Sequence, residues 1–409
     1  MTSLSFLRQQ STFLSFGVLC ALLSNFGQTF FIALYNDHMR ESFNLSFTEI
    51  GSLYAGATLL SAAVYFYVGK FIDEWPLARF TLLVFLGLVL GCVTLGIASN
   101  VYLLFIGLYL VRQFGQGLAS HTGTTAIARA YDKNRGTAVA VSQLGFPIGE
   151  SFMPALGLAV IVLVGWQASW FIYACFIGLL ALPALLFLTR YEPKPDIQNN
   201  ETGMSGDRSD VLRDPIFYCV MPLYLSSPFL LTGMFFNQVA LANERGWTLG
   251  SIAAAFSGFA LCKIITSLVA GQLVDRFTAK RIVPFIGLPL MLAFIILALP
   301  DSVSAIGMGS QLVVFLYLGL CGVTVGMSAP VSGSLWAELY GTKHLGAIRS
   351  MTGPILILST AAAPIIFGFI LDAETRFVTI AQWAFIYIGV ASILAFVAMW
   401  RKLKNVNVF

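Results

Sequence analysis

A chain of 409 residues that is 58% hydrophobic and only 10% charged is no ordinary soluble domain, in which about 25% of residues are charged. Its 23 Lys and Arg against 19 Asp and Glu leave a formal net charge of +4, which reflects membrane topology and points to no nucleic-acid partner. No nucleotide-binding loop, nucleophile constellation or metal-ligand spacing occurs, so ATP-driven pumping is excluded, no cofactor or metal is expected, and an enzyme is disfavoured.

Apolar stretches of about 20 residues, long enough to cross a bilayer, recur down the chain. The first, 12–36, is too long for a signal-peptide core, carries Asn25 and Gln28, and is read as a retained helix. Others follow at 47–69, 80–98, 101–122, 137–163 and 167–189. The hydrophilic stretch 190–214 then has the composition of a linker. The remaining stretches lie at 215–242, 248–272, 282–300, 311–335, 346–371 and 378–400. Continuous apolarity without period-two alternation predicts helices rather than a barrel. The expected organisation is a bundle at 1–189, a linker at 190–214 and a second bundle at 215–409. If the N-terminus is cytoplasmic, most Lys and Arg fall on the inner side, and outer loops hold only Arg40, Arg245 and Arg376. That asymmetry places both termini in the cytoplasm.

Two segments repeat at an offset near half the chain: Gly69-Lys-Phe-Ile-Asp73-Glu-Trp-Pro-Leu-Ala-Arg79 and Gly271-Gln-Leu-Val-Asp275-Arg276-Phe-Thr-Ala-Lys-Arg281. Glycine, aspartate and arginine keep their spacing, which indicates an internal duplication. Tyr131 and Tyr340, and Gly145-Phe-Pro147 and Gly353-Pro354, match at similar offsets. The Gly and Pro residues of the fifth and eleventh stretches are expected to bend their helices.

These segments resemble the G-x-x-x-D-(R/K)-x-G-(R/K)-(R/K) loops that follow the second and eighth helices of the major facilitator superfamily (MFS), and the resemblance covers the whole chain. The second copy has Thr278 and Ala279 where the glycine usually comes; the first has Glu74 for the first basic residue, and Pro76 in the turn. Arg112-Gln-Phe-Gly115-Gln116-Gly117 is similar to that family's R-x-x-x-G-x-G signature, and Gly145-Phe-Pro147-Ile-Gly149-Glu150 to its antiporter Gly-Pro motif. The resemblance implies an all-α integral membrane protein with twelve transmembrane helices in two pseudo-symmetric six-helix bundles. It further implies alternating access, monomeric action and a charge-relay lock in the two loops. Gly69, Asp73, Arg79, Gly271, Asp275, Arg276 and Arg281 are the gating residues by that resemblance, with Asp73 and Asp275 as helix-bridging acids.

Charges inside membrane helices are expensive and tend to face a cavity. Arg112 falls near the middle of the fourth stretch, Glu150 in the fifth and Lys263 in the eighth; Arg349 lies close enough to the end of the eleventh to snorkel. Arg112 and Glu150 have two readings: a structural pair, or a substrate-binding cation beside a proton carrier. Burial in low dielectric favours the protonated form of a carboxyl group, which makes Glu150 the proton-coupling candidate, with His121 as a possible relay. Asn25, Gln28, Gln116 and Asn237 supply amides that either orient substrate or glue helices. Arg112 and Gln116 are expected on one face at i, i+4.

Arg112 and Lys263 against Glu150 give a positive interior, so the expected cargo is a small organic anion moved by secondary active transport across a bacterial inner membrane, with a coupling proton. Organic-anion members of the superfamily look similar, with basic residues in helix eight or eleven. The alternatives are an uncharged or cationic amphiphile as cargo, and a receptor or scaffold that transports nothing.

Overall fold

The computed structural model describes residues 9–131, 135–193, 211, 213–299, 310–340 and 345–406. Most of the expected linker lies outside the described residues, as do Arg8, Lys133, Lys194, Arg208, Lys343 and the side chain of Arg349. Among the described residues 11 helices are long and apolar enough to cross a membrane, and a bent pair makes a twelfth span. The bent pair is α1 (Ser11–Gly27 and Thr29–Ser42). There follow α2 (Phe47–Glu74), α3 (Leu77–Gly96), α4 (Val101–Ala130), α5 (Gly136–Val164) and α6 (Trp166–Tyr191). The second set is α7 (Pro215–Phe236), α8 (Leu249–Phe277), α9 (Ala279–Ala298), α10 (Leu312–Tyr340), α11 (Thr352–Asp372) and α12 (Phe377–Trp400). The chain divides into two compact units, Met1–Asn199 and Asn200–Phe409.

Local chemistry sets the helix ends. Ser46 and Glu49 form a reciprocal capping box at the start of α2. Asn100 caps α4 through the Leu103 amide at 3.0 Å, and Thr248 caps α8 through Ser251 at 3.1 Å. Asp214 caps α7, with Pro215 in the first turn. Where the sequence suggested one apolar stretch over 215–242, α7 stops at Phe236 and a separate helix runs Gln238–Arg245. That helix ends on Gly246, whose φ of 63° is the left-handed geometry glycine adopts without penalty.

In the first unit α1 packs on α4 and α5, α2 on α4, and α3 on α4 and α6. In the second, α7 packs on α11 and α12, α8 on α10, and α9 on α10 and α12. The α1–α5, α2–α4, α3–α4 and α3–α6 contacts thus recur as α7–α11, α8–α10, α9–α10 and α9–α12, while α1 leans on α4 where α7 leans on α12. The first unit's core includes Trp170 and Tyr35, whose rings are 4.7 Å apart; the Tyr35 hydroxyl donates to that of Tyr173 at 2.8 Å. In the second, α10 carries Gly322 and Gly326 against the backbone of α8. A Cβ at Gly322 would run into the Phe259 carbonyl, and one at Gly326 into Thr266 Oγ1 and the Lys263 carbonyl. This small-xxx-small spacing lets two membrane helices touch backbone to backbone. The corresponding α2–α4 contact is looser: the atoms nearest a Cβ at Gly117 are 3.6 Å away. Large apolar side chains such as Phe66, Tyr102, Leu163 and Phe369 are exposed, on a surface that a bilayer solvates.

Candidate functional site

The helix expected over 12–36 is not continuous. It tightens into a 3₁₀ turn at Ser24–Gly27, extends at Gln28 (φ −79°, ψ 150°) and resumes at Thr29, its two parts bent by 44°. The cause is local competition for carbonyls. Ser24 Oγ donates to the Ala21 carbonyl at 2.7 Å, and Asn25 Nδ2 donates to Ala21 at 3.2 Å and Leu22 at 2.9 Å. Asn25 also reaches the Gly145 carbonyl of α5 at 3.4 Å, and Gly149 leaves no room for a side chain against it.

Opposite this break, α4 winds as a π-helix over Val111–Ala119. Gly27 is pressed onto that segment, and any Cβ there would strike the Val111 carbonyl and the Gln116 amide; a Cβ on Gly115 would lie 2.9 Å from Gly27 Cα. Irregular backbone at membrane depth is tolerated where protein buries it, and π segments often mark functional sites. Arg112 and Gln116, four residues apart, both lie in this π segment, whose hydrogen bonds close at i, i+5.

Arg112 is the charge at this junction, and it is buried. Its Nε donates to Thr58 Oγ1 at 3.1 Å and its Nη1 to the Gly27 carbonyl at 3.1 Å. The guanidinium carbon lies 4.8 Å from the centre of the Tyr54 ring, a cation–π distance. Tyr54 and Thr29 hydrogen-bond through their hydroxyls at 2.8 Å, and the Thr58 hydroxyl donates to the Tyr54 carbonyl at 2.8 Å. Ion pairs among the described residues include Arg40–Asp37, Arg129–Glu192 and Arg376–Glu244, and Arg112 belongs to none of them. Its hydrogen bonds go to Thr58 and Gly27, so the structural pairing with Glu150 is not formed. Gln28 and Gln116 are half-buried at the same junction. Tyr54 and Thr58 escaped the sequence reading because they are ordinary residues of an apolar run.

The other singled-out residues scatter. Glu150 is half-buried on α5. Lys263 is half-buried on α8, its Nζ 5.8 Å from the Phe259 ring centre. Asn237 folds back on α7, Nδ2 donating to the Gly233 carbonyl at 2.9 Å. His121 shares hydrogen bonds with the Gly69 carbonyl at 3.0 Å and Thr125 Oγ1 at 3.2 Å, which ties α4 to the first repeated segment.

In that segment Asp73, Glu74 and Arg79 are exposed. The turn is held instead by Arg129 of α4, whose Nη1 donates to the Ile72 carbonyl at 3.1 Å and Nη2 to Glu192 Oε1 at 2.8 Å. In the second copy Asp275, Arg276 and Arg281 are exposed, and nothing lies within 4 Å of a Cβ on Gly271. Here Glu338 of α10 accepts the amides of Ala279 at 2.7 Å and Lys280 at 3.1 Å. Thr278 takes φ 70°, the geometry that the usual glycine would satisfy. Arg129 and Glu338 were missed, although each stands two residues before a matched tyrosine, Tyr131 and Tyr340.

No curated protein sequence matches the chain. Among solved structures, 97% of this chain covers 98% of a bacterial homologue of the human lysosomal transporter Spinster, in an inward-facing and occupied conformation, at 16% identity and a TM-score of 0.67. The nucleoside transporter NupG aligns over 95% of this chain and 99% of its own, at 11% identity and a TM-score of 0.69. The peptide transporter POT, in complex with alafosfalin, aligns over 97% and 94%, at 16% identity and a TM-score of 0.68. Identities this low speak for the fold alone. The model of the Major Facilitator Superfamily matches residues 17–240 and again 224–407, and the protein belongs to that superfamily.

Proposed function

We propose that this protein is a secondary active transporter of a small organic anion, working by alternating access. The observation that carries the reading is Arg112: a buried guanidinium fixed by Thr58, Gly27 and the Tyr54 face, in none of the ion pairs seen. Arginine has five N–H donors, and the two hydrogen bonds made here leave others for a carboxylate. Burying an unmatched cation is costly unless an anion arrives to meet it. Lys263, in the second unit, is a further candidate cation, and Gln28, Gln116, Asn25 and Asn237 are candidate polar contacts.

Glu150 is the proton-coupling residue in this reading, with His121, hydrogen-bonded to the Gly69 carbonyl and to Thr125 Oγ1, as its relay. The repeated turns, through Gly69, Asp73, Arg79, Gly271, Asp275, Arg276 and Arg281, gate the two bundles 1–189 and 215–409, joined by the linker 190–214. In this reading both termini lie in the cytoplasm, which the distribution of basic residues supports, and the protein works as a monomer in a bacterial inner membrane.

The test is uptake into proteoliposomes, with a thermal-shift screen of carboxylates, sugars and cationic dyes. Carboxylates should stabilise and be transported, and Arg112→Ala should abolish both, with Lys263→Ala weakening them. Glu150→Gln should remove pH-driven uptake while sparing binding. Stabilisation by cationic dyes alone overturns the anion. That second cargo has one observation in its favour, a crevice of about 370 Å³ lined by apolar residues including Phe229, Phe367 and Trp383 of α7, α11 and α12.

A further inference from the structure

Helices joined by a short turn usually pack on each other, and α5 and α6 of the first unit do. Their counterparts α11 and α12 scarcely meet among the described residues; each packs on α7 instead. Two contacts pin that arrangement. The Tyr387 hydroxyl of α12 donates to the Pro222 carbonyl of α7 at 2.8 Å. On the other side the Phe367 ring of α11 lies 6.1 Å from the Phe229 ring of α7, in a space that Gly233 keeps open, since a Cβ there would strike Phe367.

What remains between α11 and α12 is the apolar crevice of about 370 Å³, with Leu225 and Phe229 of α7 among its lining. Along α11 the lining runs from Ile370 to Ser359, about 16 Å at ~1.5 Å per residue. A bilayer has a hydrocarbon core ~30 Å thick, so one leaflet contributes about 15 Å. The crevice is thus one leaflet deep. Trp383 lines it, is 51% exposed, and continues at helical spacing into the exposed Ile386, Val390 and Ile393. The crevice therefore opens on a lipid-facing stripe of α12.

The end nearest the α11–α12 turn is charged. Arg376 stands one turn before Ile380, a lining residue, whose amide donates to the Arg376 carbonyl at 3.2 Å. Its side chain is 66% exposed and meets Glu244 through Nε at 3.8 Å, while the Glu244 carboxylate accepts the Phe377 amide at 3.0 Å. Asp372 and Glu374, both exposed, belong to the same turn. A guanidinium beside carboxylates complements a headgroup that carries both signs, with phosphate on the arginine and ammonium on the acids. A purely anionic headgroup would meet those acids as like charges.

We infer that this crevice is a resident phospholipid site, in which one acyl chain lies between α11 and α12 along α7 and a zwitterionic headgroup sits at Arg376, Asp372 and Glu374. The chain takes the place that direct α5–α6 packing fills in the first unit. The site belongs to the membrane and not to the cargo path, and it is independent of the anion reading above.

The test uses the full chain purified in detergent, with bound phospholipid counted by native mass spectrometry after extensive washing. One phospholipid per chain should be retained. Returning phosphatidylethanolamine or phosphatidylcholine to delipidated protein should raise the melting temperature by several degrees, and phosphatidylglycerol should raise it less. Ser359→Phe places a ring in the deep end of the crevice; it should lose the lipid and the rise, and melt no lower than delipidated wild type. Arg376→Gln changes an exposed position, so it folds in either case, and should shift the midpoint of the lipid titration about tenfold. No retained phospholipid, or retention by Ser359→Phe equal to the wild type, overturns the inference. An equal response to phosphatidylglycerol, with Arg376→Gln unchanged, overturns the headgroup placement. Displacement of the lipid by a cationic dye that is also transported makes the crevice a cargo site and overturns the resident lipid.

Discussion

The turn after α2 and the turn after α8 are copies in sequence and opposites in the way they are held. Arg129 and Glu338 occupy the same place near the ends of α4 and α10, two residues before a matched tyrosine. Arg129 meets a helix at its carbonyl end, giving a hydrogen bond to Ile72 and pairing with Glu192. Glu338 meets a helix at its amide end, accepting from Ala279 and Lys280. A helix is positive at its amide end and negative at its carbonyl end, so each side chain carries the sign its pole requires. Duplication preserved the position and the task of tying a turn to the bundle, and the charge followed the pole. A search for identical residues between the halves passes over such a pair.

The largest expected effect comes from reversing the sign at the amide end. Glu338→Arg exchanges two charge-assisted hydrogen bonds for repulsion at the start of α9, and should destabilise by about 3 kcal/mol or more. Thermal unfolding in detergent measures this; a melting temperature no lower than that of Glu338→Gln would refute the pole argument. Next is Arg129→Ala, which loses one carbonyl bond and one partly buried ion pair, about 1–2 kcal/mol. Arg129→Lys should recover only part of that, since an ammonium lacks the fork that serves Ile72 and Glu192 together. A smaller effect of opposite sign is expected from Thr278→Gly, which relieves a φ of 70° and should stabilise by about 1 kcal/mol. Smallest are Asp73→Asn and Asp275→Asn. Both side chains are exposed, and stability should move by no more than about 0.5 kcal/mol. Any effect of these two on uptake is then an effect on gating and not on folding.

The spans, the family and the buried placement of Arg112 were legible because each depends on local composition: apolar length, a repeated motif, a charge where none is affordable. What surrounds Arg112 was not. The break in α1 arises from Ser24 and Asn25 bending back to carbonyls a turn away, a competition that an apolar average over 12–36 conceals. The π segment answers a backbone contact between Gly27 and Gly115, residues far apart in sequence. Tyr54 and Thr58 become partners of the guanidinium only once α2 lies against α4. The pairing of Arg112 with Glu150 failed for a related reason, since adjacency of helices says nothing about which faces meet.

The glycine contact between α8 and α10 has a mechanical consequence. With the Phe259 and Lys263 carbonyls seated directly over Gly322 and Gly326, no layer of side chains remains between the two helices to shear. They must tilt together as one stiff plank, and the stem of Lys263 takes its direction from that plank. In the α2–α4 pair a Cβ on Gly117 would meet only the Tyr65 ring and Ser61 Oγ of α2, at 3.6 and 3.9 Å, so side chains and not backbone separate those two helices. Any rocking of the second unit would then carry Lys263 along bodily, while Arg112 can shift by a local adjustment of the segment that holds it.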